Sequence, residues 1–195
     1  MSVVSTAALA AERPSREDEL RWVEAAAAGD ATAFRRIVEQ HHRPLYLMAV
    51  RLVGDAVEAQ DLVQESLAKA YVNLERFDPS FRLSTWLHRI TLNTCRDHLK
   101  SARRRERVAG ADVAVDRADE GLAPDEALFQ RAQAERVQGA LARLKESYRE
   151  VLVLKDMQGM SYQEIKEITG SPITALKIRV VRARGKLRKL LEDEA

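Results

Sequence analysis

The chain is 195 residues long, 46% apolar, 32% charged and 5% aromatic, with 8 Gly, 5 Pro and one Cys. That composition supplies apolar cores and excludes a collagen, a low-complexity polymer and a disulfide scaffold. The 32 basic and 30 acidic residues leave a formal charge of only +2, so any affinity for nucleic acid has to come from where the charges sit.

At roughly 100 to 200 residues per domain, the length allows one medium domain or two small ones. The lone Cys95 has no partner for a disulfide and no second thiol for a metal, which fits a reducing cytoplasm and a small buried side chain. No apolar run approaches the roughly 18 to 20 residues that span a bilayer, and the start, MSVVSTAALAAERPSRE, lacks a basic stretch ahead of its apolar one. A cytoplasmic location is expected.

Residues 1–15, rich in Ala and Ser without periodicity, read as a flexible tail. Residues 16–107 form the first predicted domain. Apolar residues recur there at helical spacing, with Phe34, Ile37 and Val38 in one segment and Leu62, Val63, Leu67, Ala70, Tyr71 and Leu74 in another. Gly54-Asp55 breaks the first segment from the second. Phe77-Asp78-Pro79-Ser80 breaks the second from a third, which starts near Phe81 and runs to Arg103-Arg104-Arg105. Residues 108–125 carry Asp112, Asp116, Asp119, Glu120 and Asp125 against the single base Arg117, with Gly and Pro interruptions, and read as an acidic flexible linker.

Residues 126–195 form the second predicted domain. Leu128, Val137, Leu141 and Leu144 mark one helix, and Ser147 is read as opening a short helix that stops at Gly159. Ser161 and Glu164 have capping-box spacing. Gly170 suits a left-handed helix end, and Ser171-Pro172 reads as N-cap and first residue of a last long helix. A helix, a tight glycine turn and a longer basic helix are helix-turn-helix punctuation. The predicted fold is therefore all-α: an N-terminal helical bundle and a C-terminal helix-turn-helix domain joined by the acidic linker.

On the last helix Leu176, Val180, Ala183, Leu187 and Leu190 share one face at 100° per residue. Thr174, Lys177, Ile178, Val181, Arg182, Arg188 and Lys189 take the other. Residues 177–189 contain seven bases and no acid, the mixture a base-reading helix needs: cations for phosphates and guanine edges, apolar groups for thymine methyls. On the third bundle helix Leu83, Leu87, Ile90 and Thr94 form a core face. Trp86, Arg89, Asn93, Arg96, Lys100, Arg103 and Arg104 crowd an adjacent arc suited to a single strand. Trp86, at the edge of that arc, is expected to pack inward. The second bundle helix carries the opposite charge, Glu58, Asp61 and Glu65 with Gln64 beside them. Nothing partners these carboxylates for catalysis. His41, His42, His88 and His98 form no metal-ligand spacing, and neither GxSxG nor a phosphate-cradling glycine loop occurs. Neither an enzyme nor a cofactor is expected, and the acidic stripe reads as a solvated face or a protein-docking patch.

DLVQE at residues 61–65, FDPSFRLSTWLHRITLNTCRDHL at 77–99, an acidic linker and SYQEIKEITGSPITALKIRVVRARGKLRKLL at 161–191 occur in an order that resembles the extracytoplasmic-function (ECF) sigma factors of bacterial RNA polymerase. The resemblance implies an alternative sigma factor that binds core RNA polymerase and directs promoter-specific initiation. It places Asp61, Gln64 and Glu65 on the clamp helices of the largest polymerase subunit, and it sets the second domain against the polymerase flap. Phe77, Arg89, Asn93, Arg96, Asp97, Lys100 and Arg103 then face the downstream (−10) element, of which one base is flipped out. Thr174, Lys177, Ile178, Val181 and Arg182 face the upstream (−35) duplex. The resemblance also implies a cognate anti-sigma factor.

The chain departs from the family pattern at Thr174-Ala175, Ile178, Lys166 and Leu144-Lys145. Ile178 and Ala175 sit where sequence is read, so the preferred upstream box is this chain's own. A stand-alone helix-turn-helix regulator with a helical dimerisation or sensing domain would explain the last helix, but it leaves the DLVQE stripe and the Asn93 track without a task. A helical adaptor that binds only proteins would leave the acid-free basic stretch unexplained.

Overall fold

A computed structural model of the chain describes residues 14–109 and 125–193. Most of the expected tail and nearly all of the expected linker lie outside these residues. Among the described residues the regular structure is entirely helical: α1 (Arg16–Ala27), α2 (Ala31–Val53), α3 (Ala56–Val72), a 3₁₀ turn at Leu74–Arg76, α4 (Leu83–Ala109), α5 (Asp125–Arg143), α6 (Glu146–Leu152), α7 (Tyr162–Thr169) and α8 (Ile173–Glu192). The all-α expectation holds.

Most helix ends follow from local chemistry. Ser15 and Asp18 form a reciprocal capping box at the start of α1, which satisfies amide groups that have no intrahelical partner. Gly29, at φ +97°, turns the chain out of α1. Asp30 then caps α2 by accepting from the Thr32 and Ala33 amides. This break was not among those marked in the sequence. Gly54 ends α2 in the left-handed region and Asp55 caps α3 through the Glu58 amide, as the Gly-Asp pair suggested.

α6 runs on into a π turn at Val153–Met157, closed by the Gln158 amide donating to the Val153 carbonyl at 2.9 Å. Two expected caps are displaced. Lys145, not Ser147, flanks the start of α6, and Pro172, not Ser171, flanks the start of α8, neither with a side-chain capping bond. Pro172 has an extended ψ of 143° and its carbonyl accepts from the Leu176 amide at 3.0 Å, so it flanks the helix and α8 begins one residue later than expected.

The core is continuous. Ile37, Leu45, Met48, Leu52, Val63 and Leu92 of the first three long bundle helices join Leu141, Leu152, Leu154, Ile165 and Leu176 of the C-terminal helices in one buried cluster. α2 is the shared wall, packed against α1, α3 and α4 and also against α5 and α6, while α7 packs across α4.

Polar contacts stitch the same seam. Gln138 of α5 donates to the Val50 carbonyl at 3.2 Å and accepts from Arg51 at 3.1 Å. Gln158 donates to the Pro44 carbonyl at 3.2 Å. Arg149 of α6 is buried, and its guanidinium donates to Leu141 and Ala142 at the end of α5 and to Leu52 at the end of α2. One cation therefore closes two helix C-termini, where unpaired carbonyls and the helix dipole both favour positive charge.

Candidate nucleic-acid interface

The recognition helix is set by its neighbour. Ser161 Oγ accepts from the Glu164 amide at 3.2 Å while Glu164 accepts from the Ser161 amide at 2.8 Å, so α7 starts with the expected capping box. Gly170, at φ +71°, ends it in the conformation that glycine adopts without steric cost. Ile165 and Ile168 of α7 are buried, as are Leu176, Val180 and Ala183 of α8. Leu187 and Leu190 lie partly buried against the same core. The opposite face projects outward: Thr174, Lys177, Ile178, Val181 and Arg182 are all exposed. Ile178 and Val181 are 50% and 69% exposed, although apolar burial is favourable. Arg184 pairs with Asp156 through both carboxylate oxygens, which fixes the π turn to the recognition helix.

On α3 the side chains of Glu58, Asp61, Gln64 and Glu65 are exposed, while Leu62, Val63, Ser66 and Leu67 are buried. Glu65 pairs with Lys69 at 2.7 Å and Glu58 with His98 at 3.2 Å. Asp61 carries no ion pair among the described residues. Val57 and Val72, 72% and 80% exposed, flank this acidic face at the two ends of the helix. The face can therefore offer both carboxylates and apolar contact to a partner protein.

The loop before α4 is held from within and from α1. Asp78 Oδ1 accepts from the Ser80 amide at 2.8 Å, and this backbone bond holds the Asp78 carboxyl below its usual range. Arg16 donates to the Pro79 and Ser80 carbonyls at 2.7 and 3.1 Å. Phe77, expected at the DNA face, is instead 8% exposed. It packs edge-on against Trp86 with ring centroids 5.3 Å apart, so it anchors the loop and presents no surface to a ligand. Trp86 is half-buried over it, as an aromatic at the border of core and arc should be.

Beyond Trp86 lies an open hollow of about 370 Å³ whose lining includes Trp86, Asn93 and Asp97 of α4 together with Lys69, Asn73 and Arg76. The volume falls in the range of small-ligand sites. Its lining combines an aromatic ring, an amide, a carboxylate and cations, groups able to stack on a base, pair with its edge and neutralise its phosphate. Lys69, Asn73 and Arg76 escaped the sequence reading. Their i, i+4, i+7 spacing places them in one row along α3 and its 3₁₀ extension, and that row was the available signal.

The remaining α4 residues divide. Arg89, Asn93, Asp97, Lys100 and Arg103 are exposed. Arg96 is only partly so, because its guanidinium grips the Glu150 carboxylate at 2.6 and 2.8 Å. That contact holds Arg96 more firmly protonated than usual.

Comparison with known proteins bears on both halves. Sigma-70 region 2 matches residues 37–105, and Sigma-70, region 4 matches residues 134–187. The ECF RNA polymerase sigma factor SigW of Bacillus subtilis (strain 168) is 33% identical over 173 residues, covering 85% of this chain and 92% of that one. The chain belongs to the ECF sigma factors. The RNA polymerase sigma-H factor of Pseudomonas aeruginosa is 31% identical, covering 91% and 96% of the two chains. Among solved structures, CnrH in complex with the cytosolic domain of CnrY superposes with TM-score 0.70 at 28% identity, covering 91% of this sigma factor and 99% of that chain. The sigma factor RpoE in complex with the anti-sigma factor NepR, from Bartonella quintana, follows with TM-score 0.63 at 28% identity, covering 82% and 96%. This sigma factor is thus a subunit that directs transcription initiation, and the match to region 2 decides against the stand-alone regulator. No described helix is long and apolar enough to cross a membrane.

Proposed function

We propose that residues 16–107 of this sigma factor dock on core RNA polymerase and hold the downstream promoter element, while residues 126–195 read the upstream element. Asp61, Gln64 and Glu65 form the polymerase contact on the clamp helices, and the second domain meets the flap. Asn93 and Asp97 face a base lodged in the hollow beside Trp86, with Lys69, Arg76, Arg89 and Lys100 along the strand's phosphates. Arg96 and Arg103 join them once freed from their carboxylate partners. Phe77 contributes from beneath, by fixing Trp86. Flipping a base costs a few kcal/mol, which polymerase contacts help to supply. Thr174, Lys177, Ile178, Val181 and Arg182 enter the major groove of the upstream duplex. The sigma factor RpoE solved with the anti-sigma factor NepR supports a cognate inhibitor for this chain too.

The observation that carries this reading is the exposed recognition face, two apolar residues among cations on a helix locked by a capped, glycine-turned neighbour. The polymerase half is tested by Asp61→Arg and Glu65→Lys in gel filtration with core polymerase. Loss of comigration with unchanged circular dichroism is expected. Undiminished comigration would remove the α3 face from the polymerase contact.

A further inference from the structure

Ile178 and Val181 stand three residues apart on the outward face of α8, half or more exposed, with the exposed Thr174 one turn ahead of Ile178. At 100° per residue the three fall within about 60° of one another and form a strip about 10 Å long, enough for about three base-pair steps of duplex. Cations border the strip. Lys177 precedes Ile178 and Arg182 follows Val181, and both are exposed. Two other arginines of the helix turn to the protein instead: Arg179 donates to Ser171 Oγ at 3.4 Å, and Arg184 pairs with Asp156. The centre of a face otherwise suited to a polyanion is therefore aliphatic.

An aliphatic side chain neither donates nor accepts a hydrogen bond. Against the major-groove edge of guanine, adenine or cytosine it strips water from a polar atom and returns nothing, which costs free energy. Thymine alone among the four bases carries an apolar group there, the C5 methyl. Such a contact ignores the rest of the edge. A 5-methylcytosine offers the same methyl, and neither isoleucine nor valine has a polar atom with which to tell its amine from the thymine carbonyl.

We infer that Ile178 and Val181 read C5-methyl groups in the upstream element, so that this sigma factor selects thymine at one or two positions there and accepts 5-methylcytosine, but not unmethylated cytosine, in its place. Thr174 adds its own methyl at the leading end of the strip, while Lys177 and Arg182 supply phosphate and purine contacts beside it. Cytosine methylation at C5 then raises occupancy of a promoter that carries cytosine at such a position. This inference rests on the proposed role of α8 as the reader of the upstream duplex.

The test uses the full-length protein assembled with core polymerase on a promoter selected from a library, with the downstream box held constant. Each thymine of the upstream box is replaced in turn by deoxyuridine, which lacks only the methyl, and binding is measured by gel shift. At one or two positions the affinity should fall about fourfold, the worth of one buried methyl. At the same positions a pair of 5-methylcytosine with guanine should bind about fourfold more tightly than cytosine with guanine. In a variant carrying Ile178→Ala and Val181→Ala both ratios should fall to about one. Alanine favours a helix at exposed positions, so this variant keeps its fold.

Equal binding of thymine and deoxyuridine at every position would overturn the inference, as would an upstream box without thymine. So would a methyl preference that survives in the alanine variant. Loss of comigration with polymerase in that variant would make the strip a protein contact and refute methyl reading as well. An upstream box that is lost with Arg182→Ala yet indifferent to the methyl would refute methyl reading alone and leave the proposed function standing. Initiation without any upstream box would refute both.

Discussion

Arg149 gives the sharpest test of how the two helical units are joined. It is 8% exposed and donates to Leu141 at 2.9 Å, to Ala142 at 2.7 Å, to Leu144 at 3.4 Å and, across the seam, to the Leu52 carbonyl. Burial, and after it the nearby Arg103 charge, draw its pKa down, although a guanidinium remains charged at any physiological pH. Arg149→Met keeps the apolar stem and deletes every donor.

Hydrogen bonds from a charged group contribute about 1.5–3 kcal/mol each. Two considerations lower the sum: the exposed edge of the α5 terminus regains water, and the variant no longer desolvates a cation. The expected net loss is about 3 kcal/mol, a fall in Tm of about 6–12 °C for a chain of this size. Urea unfolding followed by circular dichroism measures it. Arg149→Lys should recover only part of the loss, because an ammonium cannot span both helix ends with a planar fork. A loss below about 1 kcal/mol, or a lysine variant as stable as the parent, would refute the view of Arg149 as a shared cap.

Three further outcomes follow from single sites. Burial pushes the Cys95 thiol up to about 12, so at pH 8 only about one part in 10,000 is thiolate; Ellman's reagent should react with it only after unfolding, and labelling of the native protein within minutes would contradict its burial. His88 is buried with its Nδ1 on the Ser84 carbonyl at 2.7 Å. Burial draws its pKa below the ordinary value, against that backbone bond, with His41 adding to the fall and Gln158 and Glu164 opposing it. The unfolded chain therefore binds this proton more readily. The His88 contribution is intact above about pH 6.5 and is lost as pH falls toward the folded value, by up to about 1.4 kcal/mol per pH unit. His88→Gln should flatten that slope in urea midpoints measured between pH 7 and pH 5, and an unchanged slope would exclude His88 as its source. Arg182→Ala should weaken upstream-element binding by about 1–3 kcal/mol if it contacts a base, and an unaltered promoter preference would remove it from the reading face.

Much of this architecture was written in short-range signals. Ser161 with Glu164, Gly170, and Gly54 with Asp55 each act within four residues of themselves, and each stands in the structure as its residue type suggests. The outward face of α8 was equally legible, because 3.6-residue periodicity separates Leu176 and Val180 from Ile178 and Val181 without reference to the rest of the chain. Caps slipped where two adjacent residues could serve. Ser171 is a good N-cap by chemistry, but Pro172 takes the flanking position, a shift of the size that helix ends commonly show.

Contacts across long separations were not legible. Arg149 and Glu150 are charged, and local pattern assigns such residues to solvent. They are buried because Leu52 lies 97 residues away and Arg96 54 residues away in sequence yet adjacent in space. Phe77 was set at the downstream element by the family resemblance alone, and in the structure Trp86, nine positions on in α4, packs on its ring and helps bury it.

The most direct test of the central claim combines the purified protein with bacterial core RNA polymerase, isolates the complex by gel filtration and transcribes a promoter library with it. Comigration and initiation confined to promoters sharing an upstream and a downstream box are expected, with selectivity lost in a variant carrying Lys177→Ala and Arg182→Ala. Comigration without promoter selectivity, or salt-dependent duplex binding by a protein that never joins the polymerase, would contradict the account.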